Sequence, residues 1–504
     1  MSSPRLALLD TIERLLPLIA GLCAGALLVV LIGSLSLKWS FFLVGGIAAA
    51  CGFVLLGTLT NHLRGGMLFL AVALLPTFYG LDLLYREGVR FAVQANGFPV
   101  TAFDVVFFAL AASWVYQYWA DPQRPPLRFP RAWGWLLLVL LAINIFNTLF
   151  IAREPFFAYS MLYAQLKGYA IAFLLANFLR SGHDFRVVGY AFAAVLLFET
   201  MVVLEQRFVG VIFTAENLGR NISLTSRVGT GTVVRLAGTL DHPNDLAMYL
   251  NLALPWVIFM LIIEQKFWRR GLLLAAVLGA LLAEVWSGSR GGWLGLAMAF
   301  MVSIFFWMRK RGQNPLIGLG VAGTVVIVLF TIIFVSSSTF RDRLIEGDAG
   351  SAEVRYPLME VAMEMIKENP VGGVGLNMYA REMVPYDRTN NFIAYRYQHP
   401  VHNTFLLIGA ETGLLALLVL ATFVWLAIRD AFGSFMRNRG TVEAAAVGVF
   451  GALVSWFMHN QVNLTAPLND ETLWVLLGVL AAAILYREEE DPGAPARPHL
   501  ATRS

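Results

Sequence analysis

The sequence predicts an all-α polytopic membrane protein of about 12–14 transmembrane helices with one large helical loop on its outward side. Three observations predict it. Of 504 residues, 58% are hydrophobic and 14% are charged, whereas a soluble domain carries roughly a quarter charged residues. Apolar segments of about twenty residues, the length that crosses a hydrocarbon core of roughly 30 Å, recur along the chain. The short loops rich in Lys and Arg all fall on one side when these segments are threaded in order.

The spans are 16–37, 41–60, 66–84, 103–119, 132–151, 159–179, 187–206, 243–264, 271–287, 291–308, 316–335, 402–427, 442–460 and 471–486. This gives about fourteen helices, with twelve the alternative. With the N-terminus inside, the even-numbered spans run into Arg64; into Arg124, Arg128 and Arg131; into Arg180 and Arg186; into Lys266, Arg269 and Arg270; into Arg309, Lys310 and Arg311; and into Arg429, Arg437 and Arg439. The formal net charge of +4 therefore reports topology and indicates no nucleic-acid partner. Cys23 and Cys51 both lie inside predicted spans, where a thiol is a small packing residue, so neither a disulfide framework nor a metal site is expected. The first apolar segment is long and lacks a small-residue cleavage site, so no signal peptide is expected. The organisation is thus eleven spans over 1–335 with an outward loop near 207–241, a loop domain over 336–401, three spans over 402–486, and a disordered cytoplasmic tail over 487–504.

Two outward connections exceed what a connector needs, one near 207–241 and one near 336–401. In the second, SAEVRYPLMEVAMEMIKENP places Leu358, Val361, Ala362, Met365 and Ile366 at helical spacing, and Pro370 closes the run. The glycines that follow, in VGGVGLNMY, are either a turn or a place where amides approach a phosphate. Arg235, apolar on both sides, and Arg290, in WSGSRGGW, oppose the positive-inside trend at one membrane level. Two such arginines beside small residues favour an anion site over snorkelling. Lys167 lies inside the sixth span and needs a partner, with Glu411, Glu199 and Glu284 the candidates; a structural and a functional ion pair stand equally open. In HPVHNTFLLIGAETG, His402 opens a helix at the outer boundary, where a side chain of ordinary pKa near 6.5 accepts a proton at neutral pH. His399 and His402 lack the further ligands that a metal requires.

Four stretches, RLAGTLDHPNDLAMYLNLALP, SGSRGGWLGL, RYPLMEVAMEMIKENPVGGVGLNMY and HNTFLLIGAETGLLAL, together resemble the O-antigen ligase and polymerase superfamily of bacterial envelope glycosyltransferases in order and spacing, over roughly residues 225–425. The resemblance implies a GT-C-like, metal-independent inverting enzyme of the inner membrane with its site facing the periplasm. It would move a glycan from undecaprenyl diphosphate to an acceptor hydroxyl without a cofactor. It assigns diphosphate binding to Arg235 and Arg290 and the catalytic base to His402. Arg355, His242, Asn244, Asn403 and Lys167 are candidate substrate contacts, and Glu411 is a structural charge. Lipid-linked glycan, lipid or saccharide acceptor, and export or chain-length proteins are the expected partners. The extra length and the Tyr- and Arg-rich YDRTNNFIAYRYQHP lean toward a polymerase over a ligase. A lipid-linked oligosaccharide flippase is the alternative, and it predicts inverted repeats with broken helices in both halves.

Overall fold

The computed structural model describes residues 63–76, 80–86, 94–120, 122, 124–209, 225–228, 231–240, 242–336, 341, 351–463 and 470–486. The chain divides into residues 1–67 and 68–504. The expected spans 16–37 and 41–60 and the tail 487–504 lie outside the described residues.

The protein is an all-α polytopic membrane protein. Seven described helices are long and apolar enough to cross a membrane: Arg131–Phe150 (α3), Gly182–Phe208 (α5), Pro243–Ile263 (α6), Phe267–Ser287 (α7), Arg290–Lys310 (α8), Thr404–Arg437 (α13) and Gly440–His459 (α14). Between or beside them run Leu63–Ala73 (α1), Ala102–Ala120 (α2), Pro155–Phe178 (α4), Pro315–Ser336 (α9) and Glu471–Leu485 (α15). Strands are confined, among the described residues, to two antiparallel ribbons, Gly80–Leu83 with Phe98–Thr101 and Thr225–Val228 with Gly231–Val234. The span expected over 66–84 is corrected here. Its helix stops at Ala73, three residues before Pro76, which has no amide to donate, and Gly80 onward forms the first ribbon.

Helices approach closely where a side chain is missing, as packing between membrane helices requires. A Cβ on Gly448 of α14 would strike the Trp256 backbone of α6, and one on Gly168 of α4 would strike the Trp474 indole of α15. The basic ends of the bundle meet one another. Lys310 Nζ donates to the carbonyls of Phe435 (2.5 Å) and Asn438 (2.7 Å), and Arg311 pairs with Glu443 at 2.8 Å. Asn177 binds the Arg128 backbone, and Thr441 Oγ1 donates to the Gly182 carbonyl at 2.9 Å. The loops around 128, 180, 310 and 438 therefore share one face, as the charge pattern requires.

At the other end sits the 351–401 segment. Its main helix, Ser351–Glu368 (α10), which the short helices Tyr379–Glu382 (α11) and Ile393–Arg396 (α12) follow, buries Leu358, Val361, Ala362 and Met365 against Tyr379, Met383, Ile393 and Ala394, and against Phe157, Leu407 and Ala410 of the bundle. The same segment is stitched to α13 where that helix breaks. Gly413 adopts φ 87°, ψ 171°, and a Cβ there would run into the Val371 carbonyl. The break frees backbone groups, and the loop after Pro370 takes them: Val374 N donates to Ala410 O, Gly375 N to Glu411 O (2.9 Å each), and Leu414 N to Pro370 O (2.8 Å). Asn147 of α3 locks the joint, its Nδ2 donating to Gly372 O at 2.6 Å and its Oδ1 accepting from Leu376 N at 2.5 Å. Amides of the glycine cluster are thus engaged by protein carbonyls, so the phosphate-cradle reading of VGGVG gives way to the turn.

Candidate functional site

Three helix N-termini converge beneath the 351–401 segment. His242 caps α6, its Nδ1 accepting from Asn244 N at 3.0 Å. Ser289 caps α8, and Asn403 caps α13, its Oδ1 accepting from Phe405 N and Leu406 N at 3.0 Å each. The end of α14 ties these starts together. His459 Nε2 lies 3.5 Å from Ser289 Oγ and 3.2 Å from Asn463 Nδ2, and Asn244 Nδ2 donates to Asn463 Oδ1 at 3.3 Å. Thr404 Oγ1 donates to Asn460 Oδ1 at 2.7 Å.

Arg235 enters this junction almost completely buried, 6% exposed. Its Nε donates to the Ser287 carbonyl at 2.7 Å and one terminal nitrogen to Asn244 Oδ1 at 2.6 Å. The approach needs Gly288, which ends α7 at φ 64° with Arg235 Nε only 3.3 Å from where a Cβ would stand. Burial, then the Arg355 and Arg290 charges, lower the Arg235 pKa to about 10. Burial and Arg290 lower that of Arg355 as well. Among the described residues no carboxylate stands within ion-pair distance of Arg235 or Arg355. Mutually repelling guanidinium groups at the positive ends of three helices form a site that calls for an anion.

The histidines of the same junction are held neutral. Burial first, then His399, Arg355 and His242, depress the His402 pKa to about 3. Burial, then Arg235 and His399, depress that of His242 to about 4. His399 is lowered by burial too. The rings of Tyr397, His399 and His402 stack in a row, centroids 5.1 Å and 5.3 Å apart. His402 Nδ1 is buried with no protein partner. Among the described residues no cluster of three or more His, Cys, Asp or Glu is arranged to hold a metal.

Residues 274–421 match the model of the family described as O-antigen ligase. That match places the segment in the O-antigen ligase and polymerase superfamily. The O-antigen ligase match contains Arg290, Arg355 and His402, whereas Arg235, His242 and Asn244 lie before it and His459 after it. No curated protein matches the chain. A solved structure from work titled "Structural coordination of polymerization and crosslinking by a peptidoglycan synthase complex" is 16% identical, covering 72% of this chain and 99% of that one at a TM-score of 0.38.

Of the residues singled out from sequence, Arg235, His242, Asn244, Arg290, Arg355, His402 and Asn403 come together, with His399 beside them. Lys167 and Glu411 do not join them. Lys167 is a buried ion-pair centre, bonded to Asp104 at 3.1 Å and to Glu471, so none of Glu411, Glu199 or Glu284 is its partner. Glu411 accepts the amides of Asn377 (3.0 Å) and Tyr379 (3.1 Å), and Glu199 accepts the amide of Thr239 at 3.0 Å. Sequence reasoning passed over His459, Asn463 and Ser289. One signal was present: the His-Asn pair recurs at 402–403 and 459–460, at the ends of consecutive spans on the same side.

Proposed function

We propose that this protein transfers a glycan from undecaprenyl diphosphate to an acceptor hydroxyl, in polysaccharide assembly at the outer face of the inner membrane. The observation that carries the reading is the junction of Arg235, Arg290 and Arg355 with neutral His402 at three helix N-termini. Its orientation follows from charge: the Lys- and Arg-rich loops share the opposite end of the bundle, the end that stays in the cytoplasm.

In this mechanism the acceptor oxygen attacks the anomeric carbon and gives its proton to His402. The bond from that carbon to the diphosphate oxygen breaks, and its electron pair leaves on the diphosphate. One displacement inverts the anomeric centre. The guanidinium groups stabilise the extra negative charge with preorganised donors, and so require no metal. His402 is a weak base first because it is buried and then because of its neighbours, among them Arg355; a bound diphosphate offsets the cationic part and raises its basicity. The apolar side chains Leu137, Leu140, Phe423, Trp456 and Trp474, between α3, α13, α14 and α15, offer a surface for the first part of a prenyl chain, and Trp456 stands one turn from His459. The break at Gly413 resembles the discontinuous helices of transporters, but its freed groups are taken by the 370–376 loop, so they coordinate no cargo.

The test is transfer by purified protein in detergent from labelled undecaprenyl diphosphate glycan, after EDTA treatment, for wild type, Arg290→Ala and His402→Ala. The proposal expects EDTA-resistant transfer by wild type and losses of about 100-fold or more in both variants. Equal transfer by all three removes the site assignment, and no transfer by wild type to any acceptor removes the enzyme class.

A further inference from the structure

We infer that His459 is a diphosphate-binding residue, and that Arg235 sets its tautomer through two asparagines. The inference rests on the lipid diphosphate reading above and adds a donor to it.

A guanidinium only donates, so the Asn244 atom 2.6 Å from Arg235 is its oxygen. Asn244 therefore turns its NH2 toward Asn463, and the atom it meets at 3.3 Å is the Asn463 oxygen. Asn463 is then left with its NH2 facing His459 Nε2 at 3.2 Å. A ring nitrogen that receives a hydrogen carries none of its own in the neutral imidazole, so the proton of His459 sits on Nδ1. The weaker neighbour, Ser289 Oγ at 3.5 Å, is a hydroxyl that donates equally well to Nε2.

The Nδ1–H so defined has no protein acceptor, although His459 is only 1% exposed. An unpaired buried donor is costly and calls for a ligand. What surrounds it decides the kind. The ring lies 3.1 Å from where a Cβ on Gly291 would stand, at the start of α8, and within electrostatic reach of Arg235 and Arg355. A junction furnished with cations, helix N-termini and a neutral N–H donor takes an anionic oxygen acceptor, and a phosphoryl oxygen of the donor lipid matches that chemistry. His242 has the opposite tautomer: its Nδ1 accepts from Asn244 N, leaving the proton on Nε2. The two histidines therefore offer different nitrogens, and Asn244 touches the chain of bonds at both.

The test uses full-length protein in detergent and undecaprenyl diphosphate as the probe, with binding measured for wild type, His459→Phe, His459→Gln and Arg290→Ala. Loss of one hydrogen bond to a charged oxygen predicts about 10- to 100-fold weaker binding for His459→Phe, partly restored in His459→Gln, which regains an N–H. Nitrogen-15 spectra of histidine-labelled wild type, assigned by difference against His459→Gln, should show Nδ1–H, and Asn463→Asp should move the proton to Nε2. Because the tautomer is read in wild type, it decides the matter even where His459→Phe does not fold. An Nε2–H tautomer in wild type, or wild-type binding by a folded His459→Phe, overturns the inference. If Arg290→Ala also binds normally, the diphosphate reading falls with it; if Arg290→Ala binds poorly and the His459 variants bind normally, only the role of His459 falls.

Discussion

Replacing Glu411 by Gln tests how the outer segment is held on the bundle. The side chain is 2% exposed, and its two oxygens accept the amides of Asn377 and Tyr379 at 3.0 Å and 3.1 Å. An acceptor at both ends is the pattern of an ionised carboxylate. Gln supplies one oxygen and one NH2, so one backbone amide loses a charge-assisted bond of about 1.5–3 kcal/mol and then faces another donor, which adds about 1–3 kcal/mol. Removing a buried charge recovers part of this, leaving a net loss of about 2–4 kcal/mol. The assay is unfolding of purified protein in detergent, with a double-mutant cycle to Lys167→Met. Glu411 is one of three partners the sequence offers Lys167, and that pairing predicts strong coupling; the structure gives Lys167 to Asp104 and Glu471, which predicts additivity to within about 0.5 kcal/mol. A coupling above about 1.5 kcal/mol would mean that Lys167 and Glu411 interact after all, and an unchanged unfolding midpoint for Glu411→Gln would mean that its carboxylate does not hold the 377–379 amides.

Lys167→Met alone strands the buried Asp104 and the half-buried Glu471 and should cost about 3–5 kcal/mol in the same unfolding assay. Gly413→Ala demands φ 87° of a residue with a Cβ and sets that atom 2.5 Å from the Val371 carbonyl carbon; about 3 kcal/mol of stability is expected to go, measured by the same midpoint. Arg235→Lys keeps the charge but cannot bond Ser287 O and Asn244 Oδ1 together, so transfer should fall about 10- to 100-fold in a kinetic assay while donor binding keeps its salt dependence. His402 and His242 have folded pKa values of about 3 and 4 against an ordinary 6.5, so the unfolded chain binds the extra protons. Their contribution to stability is complete above pH 6.5 and is lost as pH falls from there toward 4 and 3; melting temperature against pH checks the sign.

Much of the architecture was legible because the bilayer imposes it. Length and hydropathy placed the helices that became Arg131–Phe150 and Pro243–Ile263 almost to the residue, and the stripe Leu358, Val361, Ala362 and Met365 marked the outer helix and its buried face. The stop at Ala73 was not legible, since an apolar run reads alike whether it continues as helix or turns at a proline into a strand. The site was half legible. Arg235, Arg290 and His402 stood out because a charge or imidazole at a membrane boundary is costly without a purpose. His459 did not stand out, because one histidine at the end of an apolar helix has nothing in its own segment to show which helices it will meet.

By itself the sequence determined that the chain spans a membrane, which loops gather together, and which polar side chains are too expensive to be idle, since each of these follows from transfer free energies that act on a segment alone. Which side chains meet was settled by helix packing: Lys167 with Asp104 and Glu471, Glu411 with the 377–379 amides, and Arg235 through Asn244 and Asn463 with His459. Those pairings depend on directional hydrogen bonds across residues up to 304 apart in sequence, and such bonds form only after the helices have set one another's depth and rotation.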